Sequence, residues 1–294
     1  MKPEDAPKRL SRWQGGKAQF VDGHAYLLPL PSRGGRAFDN FCGSCVVAFW
    51  YLARGYRVVI GDTNARLIGC LRNLRERPED VIRYLAAHAA AYAASADQRA
   101  FFYDAREQLN ACQPHTVEAS ALFLFVLRAG FNGLYRENSS GECNTTWGDP
   151  LTLGARKGKN GKDLVRADEL RGISALLKRA DIRLGDFEAT SADIRKGDVA
   201  FADCPYAGTF VGYSKGGWTL KDRQRLGAWL RRLDKRGVRW TATDTASDHA
   251  LATYGLWHVE RVQVRRSGSC KAEGRGLVTE CVVSNWTPER KQAA

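Results

Sequence analysis

The stretch Ala37-Phe38-Asp39-Asn40-Phe41, its turn Cys42-Gly43-Ser44-Cys45, the apolar run Val46–Ala53 and then Arg57-Val58-Val59-Ile60-Gly61-Asp62 decide the fold. The first piece reads as a strand, and the glycine turn leads into a helix that Arg54-Gly55 closes with a glycine cap. Arg57–Asp62 is continuous in β-branched residues, as a parallel strand buried on both faces should be. Strand, glycine turn, helix, strand and acid make a βαβ unit, complete within roughly the thirty residues such a unit takes. The fold class is α/β.

Upstream, a basic arm (Lys8, Arg9, Arg12) leads to Trp13-Gln14-Gly15-Gly16-Lys17, a Gly-Gly turn before a short apolar stretch. Downstream the character changes. Residues 67–110 are alanine-rich and dotted with arginine, with Val81, Tyr84, Leu85 and His88 at helical spacing. Residues 119–129 read as a further helix. A polar, turn-rich segment follows, and it ends in the basic tip Lys157-Gly158-Lys159-Asn160-Gly161-Lys162. Alternating elements then resume: a helix over 168–179, strands over 181–184 and 198–202, a helix over 221–236 and a strand over 238–243. The chain closes with a hairpin of 259–265 and 277–283 around Gly268, Gly274 and Gly276. We therefore expect a sheet domain made of residues 1–65 and 166–294, interrupted by a mainly helical insertion over 66–165.

The composition fits that picture. The chain has 294 residues, enough for one large or two small domains, and 44% hydrophobic residues, enough for a proper core. Its longest apolar run, residues 45–53, is far short of the ~18–20 residues of a membrane span. The opening Met1-Lys2-Pro3-Glu4-Asp5 lacks the apolar core of a signal peptide, so a cytoplasmic protein is expected. Forty-five basic against 32 acidic residues give a net charge of +13. That balance leans toward a polyanion, which is bound with release of its counterions, but charge alone does not decide the partner. Of the eight cysteines only Cys42 and Cys45 have C-x-x-C spacing, and no second pair stands ready to complete a zinc site. Reduced buried thiols and no metal are expected.

The chemistry concentrates at Asp203-Cys204-Pro205-Tyr206, which follows the strand over 198–202. Open α/β sheets place their ligands off such strand ends. An acid, a proline turn and an aromatic in a row form a pocket for a flat, amine-bearing ring. The acid and a main-chain carbonyl accept hydrogen bonds from the amine's two N–H groups, which draws its lone pair out of conjugation and aims it, while the aromatic stacks on the ring.

Here the chain resembles the Dam-type, D12 class adenine-N6 DNA methyltransferases, in order along nearly its whole length. Their W-x-G-G-K matches Trp13 to Lys17, their F-x-G-x-G matches Phe41-Cys42-Gly43-Ser44-Cys45, and their D-x-N matches Asp62-Thr63-Asn64. N-G-L-x-R-x-N and G-E-x-N match Asn132-Gly133-Leu134-Tyr135-Arg136-Glu137-Asn138 and Gly141-Glu142-Cys143-Asn144. D-F matches Asp186-Phe187, and D-P-P-Y matches Asp203 to Tyr206. Cys45 stands for the second glycine of the cofactor loop, and Cys204 for the first proline of the catalytic four.

The resemblance implies a Rossmann-like methyltransferase sheet with a C-terminal hairpin, and S-adenosylmethionine as cofactor. Trp13 and Lys17 would flank its methionine end, with Lys17 facing the carboxylate. Phe41 and Gly43 would form the turn against it, and Asp62 would take the ribose hydroxyls. Asp186 would hold the adenine amine and Phe187 the ring region, with Asp203 at the transfer site. Asp203, Cys204, Pro205 and Tyr206 would be catalytic.

The same resemblance makes the insertion the reader of duplex DNA. Phe131 and Asn132 would fill the gap left by a flipped adenine, whose N6 cannot be reached in the stack. Leu134 belongs to the same motif, Arg136 would read a guanine, and Thr146 would meet a thymine methyl. Arg12 would lie near the other guanine. The expected activity is site-specific adenine methylation at GATC or a related site, in a phage, restriction-modification or housekeeping setting, by a monomer. The alternatives are a DNA-binding protein that retains the fold without catalysis, and a methyltransferase of another planar amine. At the insertion the competing reading packs Phe131 into a core and pairs Arg136 with Glu142.

Overall fold

The strand β1 (Arg36–Asp39) lies in parallel between β2 (Arg57–Asp62) and β4 (Val199–Asp203), with β3 (Ala180–Leu184) outside β2 and β5 (Arg239–Thr245) outside β4. The closing hairpin, β6 (His258–Arg266) and β7 (Gly276–Ser284), adds β7 antiparallel to β5 and β6 outside it. The order is β3-β2-β1-β4-β5-β7-β6. This computed structural model describes residues 3–11, 13, 15–148, 162–205, 218–245, 254, 256–266 and 276–289.

Ten helices among the described residues complete it: α1 (Ala18–His24), α2 (Val46–Ala53), α3 (Ala65–Glu76), α4 (Pro78–Ala94), α5 (Gln98–Ala111), α6 (Val117–Ala129), α7 (Lys162–Val165), α8 (Ala167–Leu177), α9 (Phe187–Thr190) and α10 (Leu220–Lys235). The period of two along each strand sorts the sheet's side chains onto two cores. Ala37, Val58, Ile60, Ile182, Val199 and Phe201 face a core shared with α2, α3, α6 and α8. Phe38, Val59, Ala200, Ala202 and Ala242 face the other, against Leu226, Trp229, Leu230 and Leu233 of α10. Both faces are covered, which is why the strands read as unbroken apolar runs.

The helices of the 66–165 segment are not a separate island. The first of them, α3, packs on β2 and β3 as well as on α6 and α8. At the centre of the group, α6 is buried on nearly all sides, from Val117 to Ala129. A helix apolar all round must be enclosed, and α3, α4 and α5 enclose it.

Beyond α6 the chain forms an irregular arm over residues 130–148. Gly130 bridges Trp147 and Glu137 bridges Cys143, both antiparallel. Its tip is closed by Asn138, whose Oδ1 accepts the Ser140 and Glu142 N–H groups, with Gly141 at φ +82°. The sequence shows only turn residues here, because isolated bridges and side-chain bonds rather than an alternating strand pattern hold the arm. One short helix, α1, also escapes the pattern: Phe20 is its only buried residue, and Asp22-Gly23 interrupt any periodicity.

Candidate active site

The strand order reverses between β1 and β4, and each leaves its C-terminal end at the same crevice. Such a switch point is where open α/β sheets bind ligands. At the end of β4, Asp203 Oδ1 accepts a hydrogen bond from Thr243 Oγ1 at 2.6 Å and pairs with the Lys17 ammonium at 2.7 Å. Lys17 is 6% exposed and also donates to the Gly15 carbonyl at 3.0 Å. A buried ammonium needs such partners, and here its counter-charge is the carboxylate at the strand end. Glu280 lies 3.9 Å away on the other side.

Cys204 is buried next to Asp203, its Sγ 3.9 Å from the Thr243 carbonyl. Burial, reinforced by the neighbouring Asp244 and Asp203, pushes its thiol well above the ordinary cysteine range. The thiol therefore stays protonated and is a poor nucleophile. Pro205 follows, half-buried; Tyr206, like Arg12, lies outside the described residues.

The turn after β1 is pinned to the end of β2. The Gly43 N–H donates to Asp62 Oδ2 at 3.1 Å, the Asn64 N–H to Asp62 Oδ1 at 2.9 Å, and the Cys42 N–H to the Gly61 carbonyl at 3.1 Å. Burial raises the Asp62 carboxyl, and the Asn64 and Gly43 N–H groups, with the Cys42 thiol, work against the rise. Gly43 sits at φ +43°, and a Cβ there would stand 3.1 Å from the Trp13 indole. The neighbour that a side chain would crowd in this structure is thus Trp13. Cys45 takes φ +61° as the residue capping α2, a left-handed conformation that costs a non-glycine residue about 1–2 kcal/mol. That conformation explains physically why a glycine serves at this position of the resembling loop.

Two polar residues of this turn carry no sequence signal of their own. Asp39 is 3% exposed and accepts the Ala48 N–H at 3.0 Å. Burial, with Asp203 and Asp62 nearby, pushes its carboxyl up to about 7. Asn40 is 2% exposed, and neither its Oδ1 nor its Nδ2 has a hydrogen-bond partner among the described residues.

An aromatic wall closes the second side. Phe41 stacks on Phe187 at 5.4 Å, and Trp218 meets Phe41 edge-on at 5.7 Å. Asp186 caps α9, with Oδ1 accepting the Glu188 and Ala189 N–H groups, while Oδ2 pairs with Arg225 at 2.6 Å. Burial opposes ionisation, but the Ala189 N–H and the Arg225 guanidinium hold the carboxyl below its usual range. Both oxygens of Asp186 are therefore engaged within the protein. Arg225 also lies over the Phe187 ring at 5.2 Å.

The arm over 130–148 is bolted to this crevice. Tyr135 is fully buried and stacks on Trp13 at 5.4 Å, and its hydroxyl donates to Glu137 Oε1 at 2.7 Å. Asn64 caps α3 with its Oδ1 and donates from Nδ2 to Glu137 at 3.1 Å. Glu137 thus joins the strand-end motif to the arm, a link between residues 73 positions apart that no local pattern could reveal.

On the outer side of the arm Phe131 is 37% exposed and is not packed into a core, and its N–H bonds the Thr146 carbonyl at 2.8 Å. Asn132 sits at φ +55°, Thr146 is exposed, and Leu134 and Arg136 are half-buried. The structure therefore gathers Lys17 with Asp203, Trp13 with Gly43 and Asp62, Phe41 with Phe187 and Asp186, and Phe131 with Thr146. Among the described residues no group of three or more His, Cys, Asp or Glu side chains is placed to hold a metal, and no helix is long and apolar enough to cross a membrane.

Residues 13–265 match the family described as D12 class N6 adenine-specific DNA methyltransferase. A Type II methyltransferase of Lactococcus lactis subsp. cremoris is 29% identical over 94% of this chain and 94% of its own. The retron Ec67 DNA adenine methylase of Escherichia coli is 28% identical over 92% and 89%. The DNA adenine methylase of Haemophilus influenzae is 25% identical over 96% and 95%. The chain belongs to the D12 class of N6 adenine-specific DNA methyltransferases, enzymes whose substrate is DNA.

Proposed function

We propose that this methyltransferase moves a methyl group from S-adenosylmethionine to N6 of an adenine flipped out of duplex DNA, at GATC or a closely related site. The observation that carries the reading is the Asp203 carboxylate. It is fixed at the switch point with Oδ1 held by Lys17 and Thr243, and no hydrogen bond to Oδ2 is made among the described residues. An acid so placed accepts a hydrogen bond from an incoming amine.

The crevice suits a ligand with amine, carboxylate, ribose and adenine groups. Asn40 offers a buried donor and acceptor that have no partner among the described residues, and such groups are costly to leave unmet. Asp62 lies at the end of β2 beside this turn, with its two oxygens set by the Gly43 and Asn64 N–H groups. Lys17 brings the cation for a carboxylate, and Trp13, Phe41 and Phe187 line the approach. Asp186, whose oxygens are already engaged, serves the adenine end through an orientation set by Arg225.

When bound, S-adenosylmethionine supplies an electrophilic methyl whose transfer breaks a sulfur–carbon bond, forms a nitrogen–carbon bond and leaves a neutral thioether. Asp203 and the Cys204 carbonyl accept hydrogen bonds from the two N6–H groups, so the lone pair leaves conjugation and is aimed for transfer. The amine's surplus proton passes to water. Pro205 stiffens the turn, and Tyr206 stacks on the flipped base. The buried, protonated Cys204 thiol does not compete for the methyl.

Residues 66–165 supply target recognition, and residues 1–65 and 166–294 supply transfer. Exposed Phe131, with Asn132 and Leu134, enters the stack where the adenine has left. Arg136 reads a guanine through its O6 and N7, Thr146 meets a thymine methyl, and Arg12 reaches the other guanine. The charge of +13 favours the phosphate backbone throughout.

The test is methylation of a randomised duplex library, read by sequencing that detects N6-methyladenine. Methylated adenines confined to one short motif are expected. Methyl on cytosine N4, or DNA bound but unmethylated in the presence of the cofactor, would overturn the reading.

A further inference from the structure

We infer that Thr243 is a positioning residue for methyl transfer, orienting the Asp203 carboxylate so that Oδ2 is the oxygen presented to the target amine; the inference rests on the reading above. Thr243 lies on β5 directly opposite Asp203 of β4 in the parallel register. It is fully buried, and its Oγ1 stands 2.6 Å from Asp203 Oδ1. A carboxylate carries no hydrogen, so the Thr243 hydroxyl is the donor.

A carboxylate at a strand end is free to turn about its last side-chain bond. Two donors on one oxygen fix that rotation, and here they are unlike each other. Lys17 reaches in from outside the sheet on a flexible four-carbon stem, and a cofactor carboxylate would compete for its ammonium. Thr243 sits on the neighbouring strand, β-branched and stiff, and keeps its hold whatever Lys17 does. Alignment of the acceptor matters at the transition state more than in the bound ground state, so the loss should fall on kcat.

The same strand provides its own control. Thr241, two residues earlier on the same face, is equally buried, but its Oγ1 donates to the Leu27 carbonyl at 2.7 Å, away from the crevice. Thr241→Val and Thr243→Val are one chemical change made at two neighbouring places.

The experiment measures kcat, KM for DNA and for cofactor, and melting temperature for the wild type and for Thr243→Val, Thr243→Ala, Thr243→Ser and Thr241→Val. Removing a hydrogen bond to a charged acceptor should lower kcat roughly 10- to 100-fold in Thr243→Val and Thr243→Ala. Both KM values should stay within about threefold, as expected when an interaction made in the transition state is lost. Thr243→Ser should restore kcat to within about threefold, since it keeps the donor. Thr241→Val should melt lower with kcat retained. The two hydroxyl-free variants at position 243 differ in bulk, so one that fails to fold leaves the other to decide. Wild-type kcat in Thr243→Val or Thr243→Ala, no rescue by serine, or an equal fall in Thr241→Val overturns the inference. A wild type that transfers no methyl overturns the functional reading itself, and this inference with it.

Discussion

The strand-end crevice and the arm over 130–148 solve opposite problems with the same kinds of residue. In the crevice polar side chains are buried and turned on one another: Lys17 on Asp203, Thr243 on Asp203, Asp62 on the Gly43 and Asn64 N–H groups. In the arm the backbone is what is held, through Asn110 on both polar groups of Cys143, Thr145 on the Arg136 N–H and Asn138 across the tip. Its Phe131 and Thr146 side chains are left outward. The first arrangement suits an invariant reaction, where misalignment costs rate. The second suits contact with a partner of variable sequence, where outward side chains can differ without disturbing the fold.

That contrast can be broken at either end. The largest effect is expected at Asp203: Asp203→Ala should abolish detectable methylation on every DNA sequence, with cofactor and DNA binding kept within about tenfold, because the acid acts chiefly at the transition state. Turnover at the wild-type rate would show that the crevice is not the site of transfer. In the arm, Arg136→Ala should leave methylation in place but relax the preference at one base. A bidentate guanine contact discriminates by about 1–3 kcal/mol, or roughly 5- to 150-fold. An unchanged motif in the variant would remove Arg136 from recognition.

Smaller effects sharpen the comparison through stability. Gly43→Ala places a methyl 3.1 Å from Trp13 at φ +43°, so it should destabilise the protein by about 1–3 kcal/mol. Thermal melting reads this, and an unchanged melting temperature would show that the Trp13–Gly43 contact is slack.

The smallest effect concerns Asp39, whose carboxyl burial raises from 3.8 to about 7. Between those values the folded state holds a proton that the unfolded chain has lost, so this group's contribution to stability is full below about pH 4. It declines as the pH rises toward 7. Asp39→Asn cannot lose that proton, so its melting temperature relative to wild type should climb from pH 4 to 7 and then level off. Parallel melting curves across that range would contradict the assignment.

The sheet was legible because its strands are buried on both faces and spell themselves out as apolar runs, from Val58-Val59-Ile60 to Val199-Ala200-Phe201. Asp62 and Asp203 were legible at strand ends for the same reason, since each acid closes such an apolar run. What those acids bond to was not legible. Lys17 and Asp203 meet across 186 positions, and a lysine after two glycines carries no mark of the carboxylate it will find. The Asp186–Arg225 pair is hidden in the same way, and it changes the residue from a free acceptor into a braced one. Asn40 and Thr243 look like ordinary polar residues beside a strand until the structure shows Asn40 without a partner among the described residues and Thr243 bonded to Asp203. The fold of the arm was read only as turns, because Asn110 and Asn64 hold it from elsewhere in the chain, Asn110 at Cys143 and Asn64 at Glu137.

The central claim, transfer to adenine N6 governed by Asp203, is tested most directly by nucleoside analysis. Duplex DNA incubated with S-adenosylmethionine and either wild type or Asp203→Ala is digested and its methylated nucleosides quantified by mass. N6-methyldeoxyadenosine from the wild type and none from the variant is the predicted result. N4-methyldeoxycytidine as the product, or equal N6-methyldeoxyadenosine from both proteins, would contradict it.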